Sequence, residues 1–128
     1  MHQEVKVSGK LKEAYTVETS SRLHYLLADQ SISDGGLDLG PTPTELLLTS
    51  LISCKLITMK MYAKRKNWDL QNVFIELQLI DNKDKAQINK TVQFEGSLSE
   101  EQRQRLILIS ERCPIVKMLK NSIEFKLL

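Results

Sequence analysis

The 128-residue sequence is poor in the side chains that most catalytic sites need. It has two histidines, and neither stands near a serine or an aspartate in a recognisable motif, so a Ser–His–Asp or paired-glutamate hydrolase has no support. The set of His2, His24, Cys54 and Cys113 lacks the C-x-x-C or H-x-x-x-H spacing of a zinc site. We therefore expect neither a metal nor a cofactor.

Charge and targeting signals are also scarce. Eighteen Lys and Arg against 16 Asp and Glu leave a net charge of +2, which argues against nucleic-acid binding. Residues 1–9 have neither an apolar core nor an Arg-rich amphipathic pattern, so we expect a cytoplasmic protein. In a reducing compartment two cysteines rarely form a structural bridge. They are then either small buried hydrophobes or a working thiol pair.

Residues 40–66, GPTPTELLLTSLISCKLITMKMYAKRK, carry the clearest structural signal. Thr42 is placed as an N-cap, Pro43 as the first helical residue, and Glu45 as the acidic half of a T-x-x-E capping box. From residue 46 to residue 59 the only charge is Lys55, and apolar side chains fall on every face. The run is shorter than the roughly 20 residues that cross a bilayer. It predicts a buried core helix that does not span a membrane.

The remaining patterns predict strands before this helix and a hairpin with a helix pair after it. Alternation around residues 5–7, 15–19 and 23–27, with breaks at 8–9 and 20–21, predicts three strands. Residues 73–80 and 86–94 alternate on either side of a polar turn, which predicts a hairpin. Ser99 and Gln102 form a second capping box, and Pro114 ends that helix and begins a shorter one. Residues 123–127 predict a final strand.

This order predicts an α+β fold in one domain spanning residues 1–128, with antiparallel sheets wrapped around the long central helix. A sheet of so few strands cannot cover an all-round apolar helix on every side. We therefore expect a homodimer in which a second subunit completes the cover.

The two cysteines occupy different local settings. Cys113 directly precedes Pro114, where the start of the last helix favours a thiolate, so position alone makes it the thiol expected to ionise more readily. Cys54 lies about three turns inside its helix, and a wholly apolar site would leave it inert unless a charged group reached it. Either cysteine can also be a packing residue, because free Cys is among the most buried residue types.

Three segments together resemble the OsmC/Ohr family of osmotically induced and organic-hydroperoxide-resistance proteins: G-P-T-P-T-E-L-L-L-x-S-L-x-x-C, F-E-G-S-L-S-x-E-Q-R-x-R-L and E-R-C-P-I-V-K-M-L. The resemblance runs from about residue 40 to residue 128. It implies an intertwined homodimer that reduces small organic hydroperoxides and is recycled by a dithiol reductant. It also implies that Cys54 attacks the peroxide and that Cys113 resolves the sulfenic acid as a disulfide.

Two family positions are not matched directly. The Arg that holds the thiolate in family peroxidases aligns near Lys12, and Arg22 lies later in the chain. The Glu that orients this Arg aligns with Thr44, and Glu45 follows one residue later. One residue along a helix is a rotation of about 100°, so Glu45 can serve as a cap alone.

The leading hypothesis is a thiol-dependent peroxidase in which Leu47, Leu51 and Met61 flank a pocket for an alkyl chain. The candidate site residues are Cys54, Cys113, Glu45, Arg22 and Lys12. The alternative is a non-catalytic dimer that binds a small apolar ligand, with cysteines kept for packing or for thiol switching. An accessible, reactive Cys54 distinguishes the first from the second.

Overall fold

A computed structural model describes residues 4–128 and divides them into two compact units, residues 4–47 and Leu48–Leu128. The chain combines antiparallel sheets with a long central helix, α1 (Pro43–Lys66), so the predicted α+β class is confirmed. That the whole chain forms one domain stays a prediction.

The first unit contains a three-stranded antiparallel sheet with the order β1 (Ser8–Leu11), β2 (Val17–Ser21) and β3 (His24–Ala28). The predicted antiparallel meander of three strands is confirmed, but its first strand is displaced: β1 begins at Ser8, inside the first predicted break, and residues 5–7 form no strand. The second break lies at residues 22–23, directly after the predicted position near 20–21. Ser8 pairs with Ser20, because backbone ladder bonds do not depend on an apolar side chain. Arg22 forms the turn instead, with φ of 53° in the left-handed region.

A buried carboxylate organises the loop that follows β3. Asp29 accepts a hydrogen bond from Thr16 Oγ1 at 2.7 Å and another from the Leu39 backbone N–H at 3.2 Å. The Thr16 hydroxyl, assisted by the backbone donors, lowers the pKa of Asp29 although burial opposes this. The Asp29 N–H in turn donates to Pro41 O at 3.1 Å. These bonds fix the chain that leads to α1.

The predicted capping signals of α1 are confirmed. The Thr42 N–H donates to Glu45 Oε1 at 2.9 Å, and the Glu45 N–H donates to Thr42 Oγ1 at 3.2 Å. At the other end Asn67 takes a left-handed φ of 61°, and the last turn carries three basic residues that favour the negative end of the helix dipole.

The second unit packs α1 from Leu48 onward against a hairpin and two helices. The hairpin is β4 (Asn72–Asn82) with β5 (Lys85–Glu95), and the helices are α2 (Glu100–Ser110) and α3 (Pro114–Lys120). Ser99 and Gln102 form the predicted capping box of α2, and Pro114 begins α3 as predicted. The main core consists of Met59, Tyr62, Ala63, Leu70, Ile75 and Leu106.

The predicted final strand at residues 123–127 is wrong. Residues 121–128 contain no strand, and Phe125 and Leu127 are 89% and 100% exposed. An alternating pattern makes a strand only when a neighbouring strand pairs with its backbone, and the described chain gives this segment none.

A single chain leaves part of α1 uncovered, as the small number of predicted strands indicates. By length and composition α1 is the one helix in residues 4–128 that could cross a membrane, yet Met59 and Ala63 belong to the core. Ile57 and Met61, by contrast, are 55% and 66% exposed. Sequence hydropathy cannot distinguish a face covered within the chain from one left for another surface.

Candidate functional site

The second unit brings the two cysteines together. Cys113 is completely buried with Leu51 and Val116, and Cys54, which is half-buried, packs against this cluster. Both thiols are free and are not at disulfide distance, but Cys54 is near enough to Cys113 to raise the pKa of its thiol. A residue of the central helix and a residue of the α2–α3 junction therefore form one thiol pair.

Local backbone chemistry fixes Cys113 at this junction. Pro114 disfavours helical geometry for the residue before it, and Cys113 is extended with φ of −65° and ψ of 149°. Its N–H donates to Ser110 O at 3.3 Å, and its carbonyl accepts from the Lys117 N–H at 3.1 Å. Cys113 is thus the N-cap of α3, as its position before proline predicts.

The pKa of Cys113, however, moves opposite to what the helix start predicts. Burial raises it most, and the neighbouring side chain and charge of Cys54 raise it further. The Val116 backbone N–H and the Lys55 charge act in the other direction without reversing the shift. The expectation that Cys113 ionises readily is therefore corrected: its thiol is held protonated.

A buried ion-pair network lies beside the thiols. The side chain of Lys55 is only 7% exposed, and its Nζ donates to Glu111 Oε1 at 3.3 Å. Lys90 pairs with the same carboxylate oxygen. Burial lowers the pKa of Lys55 and the charge of Lys120 lowers it further, whereas the charges of Cys113 and Cys54 raise it. Lys55 is thus close enough to both sulfurs to interact with them electrostatically.

An open, mostly apolar groove of about 710 Å³ adjoins Cys54. Its apolar wall includes Ile57 and Met61 of α1, and its rim carries the cations Lys64 and Arg65. Of the three residues predicted to flank a pocket for an alkyl chain, Met61 lines this groove, and the use of the groove by an alkyl chain stays a prediction. Leu51 instead lines a separate cavity with Lys55, and Leu47 is a 42% exposed residue of the first unit.

The other predicted site residues have local partners in the first unit. Lys12 Nζ pairs with Glu18 Oε2 at 3.1 Å, Arg22 lies in the β2–β3 turn, and Glu45 caps α1. Their action at Cys54 stays a prediction. Sequence reasoning missed Lys55 and Glu111 as site residues. The signal for Lys55 was present, since a lone charge inside an apolar helix needs a partner.

Among residues 4–128 no group of three or more His, Cys, Asp or Glu side chains could hold a metal ion. His24 is exposed on β3, and His2 lies outside the described residues.

The Cys113 thiol gives the first prediction. In the Cys54→Ser variant Cys113 is the sole cysteine, and its thiolate should appear only as the pH rises above the ordinary value of 9.0, because burial disfavours the charged form. Ultraviolet absorbance of the thiolate during a pH titration measures this. The same variant unfolded in urea is the matched control and should titrate at a lower pH. A folded midpoint at or below the unfolded one would show that the helix start dominates.

Comparisons with known proteins agree with this fold. The model of the OsmC-like protein family matches residues 34–128 of the sequence. The fold is similar to that of the OsmC-like protein from Mycoplasma pneumoniae, with a TM-score of 0.81, 20% identity, and 94% of this chain and 90% of that chain covered. Among curated proteins none matches significantly.

Two organic hydroperoxide resistance proteins share the fold as well. The OsmC protein from Legionella pneumophila gives a TM-score of 0.67 at 17% identity, covering 93% of this chain and 90% of that one. The organic hydroperoxide resistance protein OhrB of Bacillus subtilis gives a TM-score of 0.64 at 17% identity, with 93% of this chain and 92% of that chain covered. Such identities show the fold alone, whereas the match over residues 34–128 shows the family. The chain belongs to the OsmC-like protein family.

Proposed function

We propose that this protein is a cytoplasmic thiol-dependent peroxidase that reduces small organic hydroperoxides through Cys54 and Cys113. The observation that carries the proposal is the packing of two free thiols, Cys54 and Cys113, in one cluster, with Cys54 lining an open apolar groove. Membership of the OsmC-like family and the fold shared with organic hydroperoxide resistance proteins support it.

The reaction proceeds in three balanced steps. The Cys54 thiolate attacks the O–O bond of R–O–O–H, takes one oxygen as Cys54–S–OH, and releases an alkoxide that picks up a proton to give the alcohol. The Cys113 thiol then displaces water from the sulfenic acid and forms the Cys54–Cys113 disulfide. A dithiol reductant transfers two electrons and two protons, which restores both thiols and leaves the reductant as a disulfide.

The electrostatics favour this division of roles. A thiol held protonated by burial is a poor first nucleophile, since the thiolate is the reactive form. Cys113 is such a thiol, and it is fully buried where a peroxide has little access. Cys54 faces the groove. Cys113 then needs to lose its proton only when the sulfenic acid is already beside it.

A cation is needed to support negative charge at the thiol pair, and Lys55 supplies one in our proposal. Its charge interacts with both sulfurs, and the Glu111 carboxylate holds it in place. In the family this role belongs to an Arg whose position aligns near Lys12, oriented by a Glu whose position aligns with Thr44; Arg22 and Glu45 are the nearby candidates in this chain. The two assignments can be separated by experiment.

The exposed apolar face of α1 supports a homodimer. Ile57 and Met61 lie more than half exposed beside the groove, and the chain end adds the exposed Phe125 and Leu127. Exposed apolar patches of more than a few hundred Å² are rare in monomers and mark interaction surfaces. A second copy on this face would narrow the groove at Cys54 and exclude water from it.

The cysteine roles can be tested with tert-butyl hydroperoxide. One equivalent should convert the two free thiols of each chain into an intrachain disulfide that a dithiol reverses, as counted by thiol titration and mass spectrometry. Cys113→Ser should stop at a sulfenic acid on Cys54 that dimedone traps, and Cys54→Ser should leave Cys113 largely unoxidised. If Cys113 reacts first, the two roles are reversed. If neither thiol reacts, the ligand-binding or thiol-switch alternative replaces the peroxidase.

The activating cation can be identified from the rate at which iodoacetamide alkylates Cys54. Lys55→Met should slow the reaction on the order of tenfold, because it removes a buried positive charge near the sulfur; Glu111 keeps Lys90 as a partner in this variant. Lys117→Met, an exposed change on α3, is the matched control and should leave the rate unchanged. An unchanged alkylation rate in Lys55→Met would show that Lys55 does not activate Cys54. An unchanged pH profile of Cys54 alkylation in both Lys12→Ala and Arg22→Ala would exclude those two residues as the activating cation.

The homodimer should be visible at micromolar concentration. Gel filtration with light scattering should give about twice the 14.7 kDa chain mass, since the exposed apolar face needs a large interface to cover it. Met61→Asp should shift the equilibrium toward the monomer, whereas Lys85→Asp at the exposed hairpin end should not. A monomeric wild-type protein would contradict the proposed assembly.

A further inference from the structure

A second cavity of about 290 Å³ lies within the unit Leu48–Leu128 and has a lining different from that of the Cys54 groove. It is bounded by α1, both strands of the hairpin, Glu111 and α3. Its apolar wall consists of Leu51, Leu77, Ile88, Val116 and Leu119. The volume is at the lower end of the range of about 300–1,000 Å³ found for small-molecule sites.

The polar lining of this cavity is almost entirely cationic. Three ammonium groups, those of Lys55, Lys90 and Lys120, line it with the single carboxylate of Glu111. Lys55 and Lys90 share one oxygen of that carboxylate. Three positive charges against one negative charge leave an excess of two along the lining, where Lys55 is buried and Lys90 and Lys120 are exposed.

Electrostatic repulsion between these lysines supports a ligand role. Burial lowers the pKa of Lys90, and the neighbouring charges of Lys55 and Lys120 lower it further. Lys120 acts on Lys55 in the same direction. A bound anion would relieve this repulsion and supply acceptors that one carboxylate cannot provide to three ammonium groups.

We propose that this cavity binds a small amphipathic anion, with a carboxylate or phosphate head at Lys55, Lys90 and Lys120 and a short alkyl body against the apolar wall. A polar anion would leave the apolar wall without a partner. A neutral apolar molecule would leave the excess charge uncompensated. The proposal does not depend on peroxidase activity, because neither thiol lines this cavity among the described residues.

Isothermal titration calorimetry on the full chain tests the proposal with sodium octanoate, octyl phosphate and neutral octanol. One or both anions should bind at one site per chain and at least about tenfold more tightly than octanol, and the tighter anion identifies the head group. Octanol binding as tightly as both anions, or no anion binding at all, would overturn the proposal.

Two charge variants of the cavity lining should change anion affinity in opposite directions. Lys120→Gln should weaken anion binding about fivefold, because it removes one exposed cation of the cavity, and Lys117→Gln on the same helix should not change it. Glu111→Gln should tighten anion binding, because it removes the only negative charge of the lining. General damage to the cavity would instead weaken binding in both Lys120→Gln and Glu111→Gln.

Circular dichroism checks that each variant is folded, and Lys120→Gln decides the outcome if Glu111→Gln does not fold. Anion affinity unchanged in Lys120→Gln, or weakened in a folded Glu111→Gln, would overturn the proposal.

Discussion

The burial of Lys55 is the constraint on which the candidate site depends. The buried side chains of α1 form a stripe of Leu51, Lys55, Met59 and Tyr62, spaced three or four residues apart, so a charge occupies the face that packs against the rest of the unit. Removing such a charge from water costs several kcal/mol unless a partner compensates it. The Glu111 carboxylate provides that compensation.

The same requirement positions the thiols. Glu111 and Cys113 are two residues apart at the α2–α3 junction, and Lys55 and Cys54 are neighbours on α1. Docking the junction so that Glu111 reaches Lys55 also brings Cys113 to Cys54. Removing Glu111 would leave the buried Lys55 charge without its carboxylate partner, so the ion pair helps to hold the α2–α3 junction, and with it Cys113, against α1.

Local signals predicted the helices well because caps act over three or four residues. Thr42 with Glu45 and Ser99 with Gln102 make the hydrogen bonds that their spacing indicates. Strand ends were predicted poorly, since pairing depends on a partner strand that alternation does not identify. Residues 5–7 and 123–127 alternate without pairing, whereas Ser8 pairs without an apolar pattern.

The sequence likewise predicted some parts of the candidate site and not others. Family motifs indicated Cys54 and Cys113, but the direction of the Cys113 pKa depends on burial, which its position before proline does not reveal. Glu111 gave no signal of its own, because an acidic residue near a helix end is usually solvated. Only the fold shows that its carboxylate faces a lysine 56 residues earlier in the chain.

Consecutive residues of an α-helix point about 100° apart, and α1 uses this at Cys54 and Lys55. Cys54 lines the groove and Lys55 lines the cavity, so two neighbouring residues of one helix border two separate pockets. The Lys55 charge nevertheless acts on both sulfurs. A ligand that binds at Lys55 and changes the pKa of a thiol must itself change in affinity when that thiol becomes charged. Thermodynamic linkage makes the two effects equal in size.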